Sequence, residues 1–219
     1  MKYALLLLLG CVAFPAASAA QSGDYAAMGM QIHGNAGREA DGVPRETHAF
    51  SMCIAQRDHA FDILKQLPHT RRESGFVAGT FTHGNSNCHP NNRRMLVGGR
   101  FLRGAAAEYL LEHPEDRDHS VFAMPNTAAL EQLEPNVRAP VVFIAIGECA
   151  ARANPPGVMA LLATEVGTPE ARAALVNLAP SIGGCVPAGV TFRLPPLLVR
   201  AYLAEGAYRN LVAARPGGN

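Results

Sequence analysis

Four cysteines stand at nearly the same spacing twice over, Cys53 with Cys88 and Cys149 with Cys185, and each pair belongs to a longer pattern. An Asx residue follows the first cysteine of each pair (Asp58, Asn154), and a proline stands two places beyond the second (Pro90, Pro187). Each run then closes on a helix-like stretch with Arg and Glu at one spacing, Arg103 with Glu108 and Arg200 with Glu205. Counted back from the second cysteine, Glu73 falls opposite Glu170. Identity elsewhere is poor, and chance is the competing account. Self-similarity of this kind nevertheless reads as a duplicated unit, one copy over 48–113 and a second over 141–215, joined by a linker at 114–140.

The first nineteen residues read as an export signal. Lys2 opens it, an apolar run extends from Ala4 through Phe14, Pro15 breaks it, and Ala17-Ser18-Ala19 fits a small-x-small cleavage site. The run is too short to cross a hydrocarbon layer of about 30 Å. Once the leader is removed, the sequence predicts no transmembrane span and a periplasmic or secreted protein. A competing reading takes Leu8-Leu9-Gly10-Cys11 as a lipoprotein signal that anchors the chain through Cys11. Residues 20–47 show no sustained period and read as an irregular lead-in.

Export decides how the cysteines are read. Removal of Cys11 leaves an even number in an oxidising compartment, which favours bridges over free thiols. A unit that once stood alone must have closed its own bridge, so Cys53–Cys88 and Cys149–Cys185 are the expected pairs. Each would close a loop of about 36 residues, worth roughly 4 kcal/mol by the chain-entropy argument. The alternative, thiolate ligands to zinc, requires cysteines in close pairs, and no two here are that close.

Apolar spacing predicts a mainly α fold, with the two copies packed as one body. Trp is absent and aromatic residues are sparse, which disfavours a sandwich or barrel. In the first copy Phe50, Cys53 and Ile54 fall at helical spacing, and Asp58 is placed to cap a helix stopped by Pro68. Thr70 is the next candidate cap. The stretch 76–81 suits a strand as well as a helix, 83–92 is loop on turn chemistry, and 101–112 is a helix. In the linker Asn126 is placed to cap a short helix. In the second copy 141–146 is ambiguous but reads as helix by analogy with the first. Asn154 and Thr168 each precede a proline at a tolerated position and open helices. Pro195 starts the last helix, whose stripe is Leu197, Ala201, Ala204, Tyr208 and Leu211.

Arg200 and Glu205 stand about 140° apart on that helix, one on each border of the stripe, and cannot pair with each other. Two readings follow. If the copies meet about a twofold axis, Arg103 pairs with Glu205 and Arg200 with Glu108. Otherwise all four are separate solvated charges.

Net charge is near zero, with 19 basic and 18 acidic residues, which argues against a nucleic-acid partner. Small basic clusters at Arg71-Arg72 and Arg93-Arg94 read as solvated faces. All eight histidines lie between His33 and His119, and the densest group surrounds Cys88 in HGNSNCHPNN. A metal site there would use His83 and His89 with His59 or His69; an exposed polar loop is the plainer reading. A Cys88–His89 nucleophile requires a free thiol, and Cys88 is committed to a bridge. No Gly-rich phosphate loop, HExxH, GxSxG or CxxC occurs. The sequence therefore assigns no catalytic residue, no cofactor and no bound metal. It points to an exported, non-enzymatic binding or envelope-associated module for an unknown ligand or protein. The alternative is a metal-assisted or acid–base hydrolase using the histidines of the first copy.

Overall fold

The computed structural model describes residues 42–57, 60–82, 88, 97–116, 120–188 and 190–215. Among these the chain is mainly helical and without strands. Eight α-helices pack into one compact body: α1 (Gly42–Arg57), α2 (Arg71–Thr82), α3 (Gly99–Glu112), α4 (Thr127–Gln132), α5 (Pro135–Ala153), α6 (Pro155–Leu162), α7 (Pro169–Gly183) and α8 (Pro196–Ala213). Two short 3-10 segments, Ala60–Lys65 and Pro114–Asp116, complete the order.

Local chemistry sets most boundaries. Asn126, Asn154 and Thr168 accept N–H bonds from Ala129, Gly157 and Ala171, as N-cap side chains do. Thr70 Oγ1 accepts the Glu73 N–H and caps α2 in the same way. Helix α2 covers 76–81, the stretch ambiguous between strand and helix. The segment before it is the 3-10 turn Ala60–Lys65, where a capped helix is expected; Asp58, the expected cap, lies outside the described residues. Helix α1 begins at Gly42, inside the expected lead-in. Pro44 does not oppose it, because the first-turn N–H groups have no intrahelical acceptor to lose. Helix α5 starts at Pro135, so 141–146 is helical as expected.

Helix α8 is the centre of the body, with every residue from Arg200 to Gly206 buried. Helices α3 and α5 both pack along it. Both approaches are closer than a side chain allows. A Cβ on Gly104 would lie 2.3 Å from Ala201 Cβ, and one on Gly206 would lie 2.3 Å from the Glu148 backbone nitrogen. The core around these crossings contains Phe50, Ile54, Leu102, Leu110, Leu203 and Tyr208.

Both expected disulfides are present. Cys53–Cys88 ties α1 to the segment before α3, and Cys149–Cys185 ties α5 to the end of α7. No helix among the described residues is long and apolar enough to cross a membrane.

Candidate functional site

Two features stand out, a buried ionic core and an apolar groove. The core lies where α3 crosses α8. Arg103 gives Glu205 a two-pronged contact, Nε to Oε2 at 3.0 Å and Nη2 to Oε1 at 2.5 Å. Arg200 grips Glu108 in the same manner, Nε to Oε2 at 3.1 Å and Nη2 to Oε1. The four residues are between 1% and 4% exposed. The paired reading of these charges is therefore the one realised, and the solvated-border reading is excluded.

Each guanidinium is also satisfied by backbone. Arg103 Nη1 donates to the carbonyls of Ile63 (2.7 Å) and Gln66 (2.8 Å), and Arg200 Nη1 to those of Leu161 (2.8 Å) and Thr164 (3.0 Å). The planar fork of arginine suits this combination of carboxylate and carbonyl acceptors, whereas a lysine ammonium would leave the fork geometry unmet. Burying such a pair adds little net stability, because desolvation offsets most of the attraction. Breaking one partner, however, strands a buried charge.

The two clusters differ at their edges. At Glu108 the extra contact is His48 Nε2, 3.2 Å from Oε2. Burial pulls the Glu108 carboxyl upward, but hydrogen bonds from His48 and Arg200 outweigh it and hold the group below its usual range. At Arg103 the extra contact is a second acid, Glu73, 3.4 Å from Nη1. Burial pushes Glu73 upward, against the pull of Arg103 and of the His69 N–H. Counting back from the cysteines sets Glu73 opposite Glu170, whereas the two threonine caps stand at equal distances from Glu73 and Ala171. Thr70 and Thr168 cap onto Glu73 and Ala171 respectively. Glu170 is exposed at the surface.

Phe122 completes this region. Its ring lies under two guanidinium groups, 5.3 Å from Arg103 and 4.4 Å from Arg209. Arg209 also donates to the Phe122 carbonyl and pairs with Glu148 at 3.2 Å. Sequence reasoning missed Phe122, Arg209 and His48. Only Glu148 carries a local signal, its i,i+4 partner Arg152.

Of the four named histidines, His69 is the one within the described residues; His59, His83 and His89 lie outside them. His69 precedes α2 at φ 58°, and its N–H donates to Glu73 Oε2 at 2.5 Å. Burial, then Arg100 and Arg103, lower its imidazole pKa. Elsewhere His113, Glu115 and Asp116 bring ligand atoms within 4.8 Å of one another. These groups are engaged with protein partners, Asp116 accepting from Tyr109 and Glu115 meeting His113.

The groove is the second feature. It has a volume of about 670 Å³ and lies between the end of α7, the segment that follows it and the start of α8. Leu175, Ile182, Val186, Val190, Phe192 and Val199 line it, and none of its described lining residues is ionisable. Phe192 is held by edge-on contact with Phe143 of α5, and the Cys149–Cys185 bridge pins the segment beside it. The volume falls within the roughly 300–1,000 Å³ of small-ligand pockets. Such a surface can hold an apolar molecule, and Thr191 brings the one hydroxyl side chain among its described lining residues. Comparison with protein-family models, curated proteins and solved structures finds no match to this chain.

Proposed function

We propose that the chain is an exported, non-enzymatic binding module of the periplasm or extracellular medium that holds an uncharged aliphatic ligand in the α7–α8 groove. The observation that carries this reading is the groove itself, mainly apolar, without an ionisable side chain among its described lining residues and braced by a disulfide. The two bridges fit maturation in an oxidising compartment, in keeping with an export signal over residues 1–19. We also read the body as an internal duplication. Supporting this, the carbonyl acceptors Ile63 and Leu161, the acceptors Gln66 and Thr164, and the caps Thr70 and Thr168 are all separated by the same interval of 98 residues.

Titration with the uncharged apolar dye Nile red tests the reading. Wild-type protein should bind it saturably, and Val190→Asp, which places a charge in the groove, should weaken binding about tenfold or more while leaving the far-UV circular dichroism unchanged. Equal binding by both proteins, or none by wild type, overturns the proposal. Metal analysis that found about one zinc per chain, lost on combining His83→Ala with His89→Ala, would favour a hydrolase instead.

A further inference from the structure

The cluster around Arg103 holds one more acid than its counterpart around Arg200. Glu73 of α2 and Glu205 of α8 meet the same guanidinium, at 3% and 1% exposure. Ala171 stands at the same distance from its threonine cap as Glu73, and Arg200 meets Glu108 with His48 at its rim. Two ionised carboxylates that meet the same guanidinium in a site sheltered from water repel each other, and the least costly relief is a proton on one acid. We propose that Glu73 is a proton-operated latch, taking up a proton on mild acidification and thereby tightening the hold of α2 on the α3–α8 core. This inference is independent of what the groove binds.

The geometry makes Glu73 the tether of α2. Its backbone N–H is capped by Thr70, its Oε1 faces Arg103, and its Oε2 takes the His69 N–H. The two contacts at Oε2 and Thr70 form a variant of the capping box, with the residue before the cap supplying the N–H. His69 is thereby held at positive φ, a conformation a non-glycine residue keeps only when its surroundings impose it. A Cβ on Gly99 would lie 3.2–3.3 Å from the Glu73 carboxyl, so the group is pressed against the first turn of α3.

The ionisable groups acting on Glu73 are Arg103 from α3, Glu205 from α8 and His69 ahead of α2, which gives its N–H; Arg100 from α3 and Tyr202 from α8 act on these neighbours. Burial pushes the Tyr202 phenol up to about 12, so it stays neutral. Burial and the two arginines hold His69 toward its neutral form. Burial acts on Glu73 in the opposite sense and raises its proton affinity above that of the unfolded chain. Folding therefore gains stability as pH falls through the folded-state pKa of Glu73 and loses it as pH rises through that value.

Hydrogen exchange of the Ser74–Val77 amides, corrected for intrinsic rates and compared between pH 5 and pH 8, tests the latch. In wild type their protection relative to α3 should rise severalfold on acidification, and in Glu73→Gln the relative protection should be independent of pH. The same pH profile in both proteins overturns the proposal. If Glu73→Gln does not fold, the carboxyl carbon-13 titration of Glu73 in wild type decides. A midpoint above that of an ordinary glutamate, about 4.3, supports the latch. A midpoint at or below it refutes the latch.

Discussion

The unequal acid content of the two clusters predicts unequal costs for two otherwise equivalent substitutions. Glu108→Gln removes the carboxylate gripped by Arg200 and leaves that guanidinium, 4% exposed, with the carbonyls of Leu161, Leu162 and Thr164 and no anion. Removing one partner of a buried pair costs about 3–5 kcal/mol. Glu205→Gln does the same to Arg103, except that Glu73 already stands 3.4 Å from Nη1 and remains as a second carboxylate partner. A charge-assisted hydrogen bond of that kind recovers about 1.5–3 kcal/mol, so Glu205→Gln should cost roughly half as much. Urea unfolding at pH 7 reads the difference. With a slope of about 2 kcal/mol/M, Glu108→Gln should move the midpoint by about 2 M and Glu205→Gln by about 1 M. Combining Glu205→Gln with Glu73→Gln should restore the full penalty, with a coupling of about 0.5–3 kcal/mol beyond the sum of the single changes. Equal midpoints for the two single variants, or additivity of the double variant, would refute the reasoning.

Two further outcomes are expected from single substitutions. Gly206→Ala sets a Cβ 2.3 Å from the backbone nitrogen of Glu148, where no flexible side chain can yield, and should lose about 1–3 kcal/mol; Gly75→Ala, in α2 with nothing within 4 Å, should gain about 0.5–1 kcal/mol in the same unfolding assay. The hydrogen bond to Asp116 comes first among the causes that push the Tyr109 phenol up to about 12, so its neutral form is favoured by folding and that preference is lost as pH rises through the folded value. Ultraviolet titration of Asp116→Asn should show one tyrosine returning toward about 10, and no change would show that Asp116 does not hold it.

Much of this architecture was legible along the chain. The two cysteine intervals and the export-like leader together pointed to the pairings Cys53–Cys88 and Cys149–Cys185, because loop closure depends on positions in sequence. The caps at Asn126, Asn154, Thr168 and Thr70 were readable for a similar reason, since a cap bonds to N–H groups within three residues of itself. Helical periodicity placed Arg200 and Glu205 on the borders of an apolar stripe and offered their pairing with Glu108 and Arg103 as one of two readings. Whether a border is wet or dry depends on how deeply the next helix approaches. Here Gly104 against Ala201 brings α3 and α8 close enough to seal all four charges inside. Glu73 is buried and Glu170 is exposed, a distinction that the shared count back from the cysteines does not carry and that rests on how each helix packs. The placement of Phe122 between Arg103 and Arg209 joins elements far apart in the chain and has no periodic signature. The groove likewise arises from residues of two helices and the segment between them. Each residue alone is an ordinary apolar position, and the shared cavity exists only because tertiary packing leaves it unfilled.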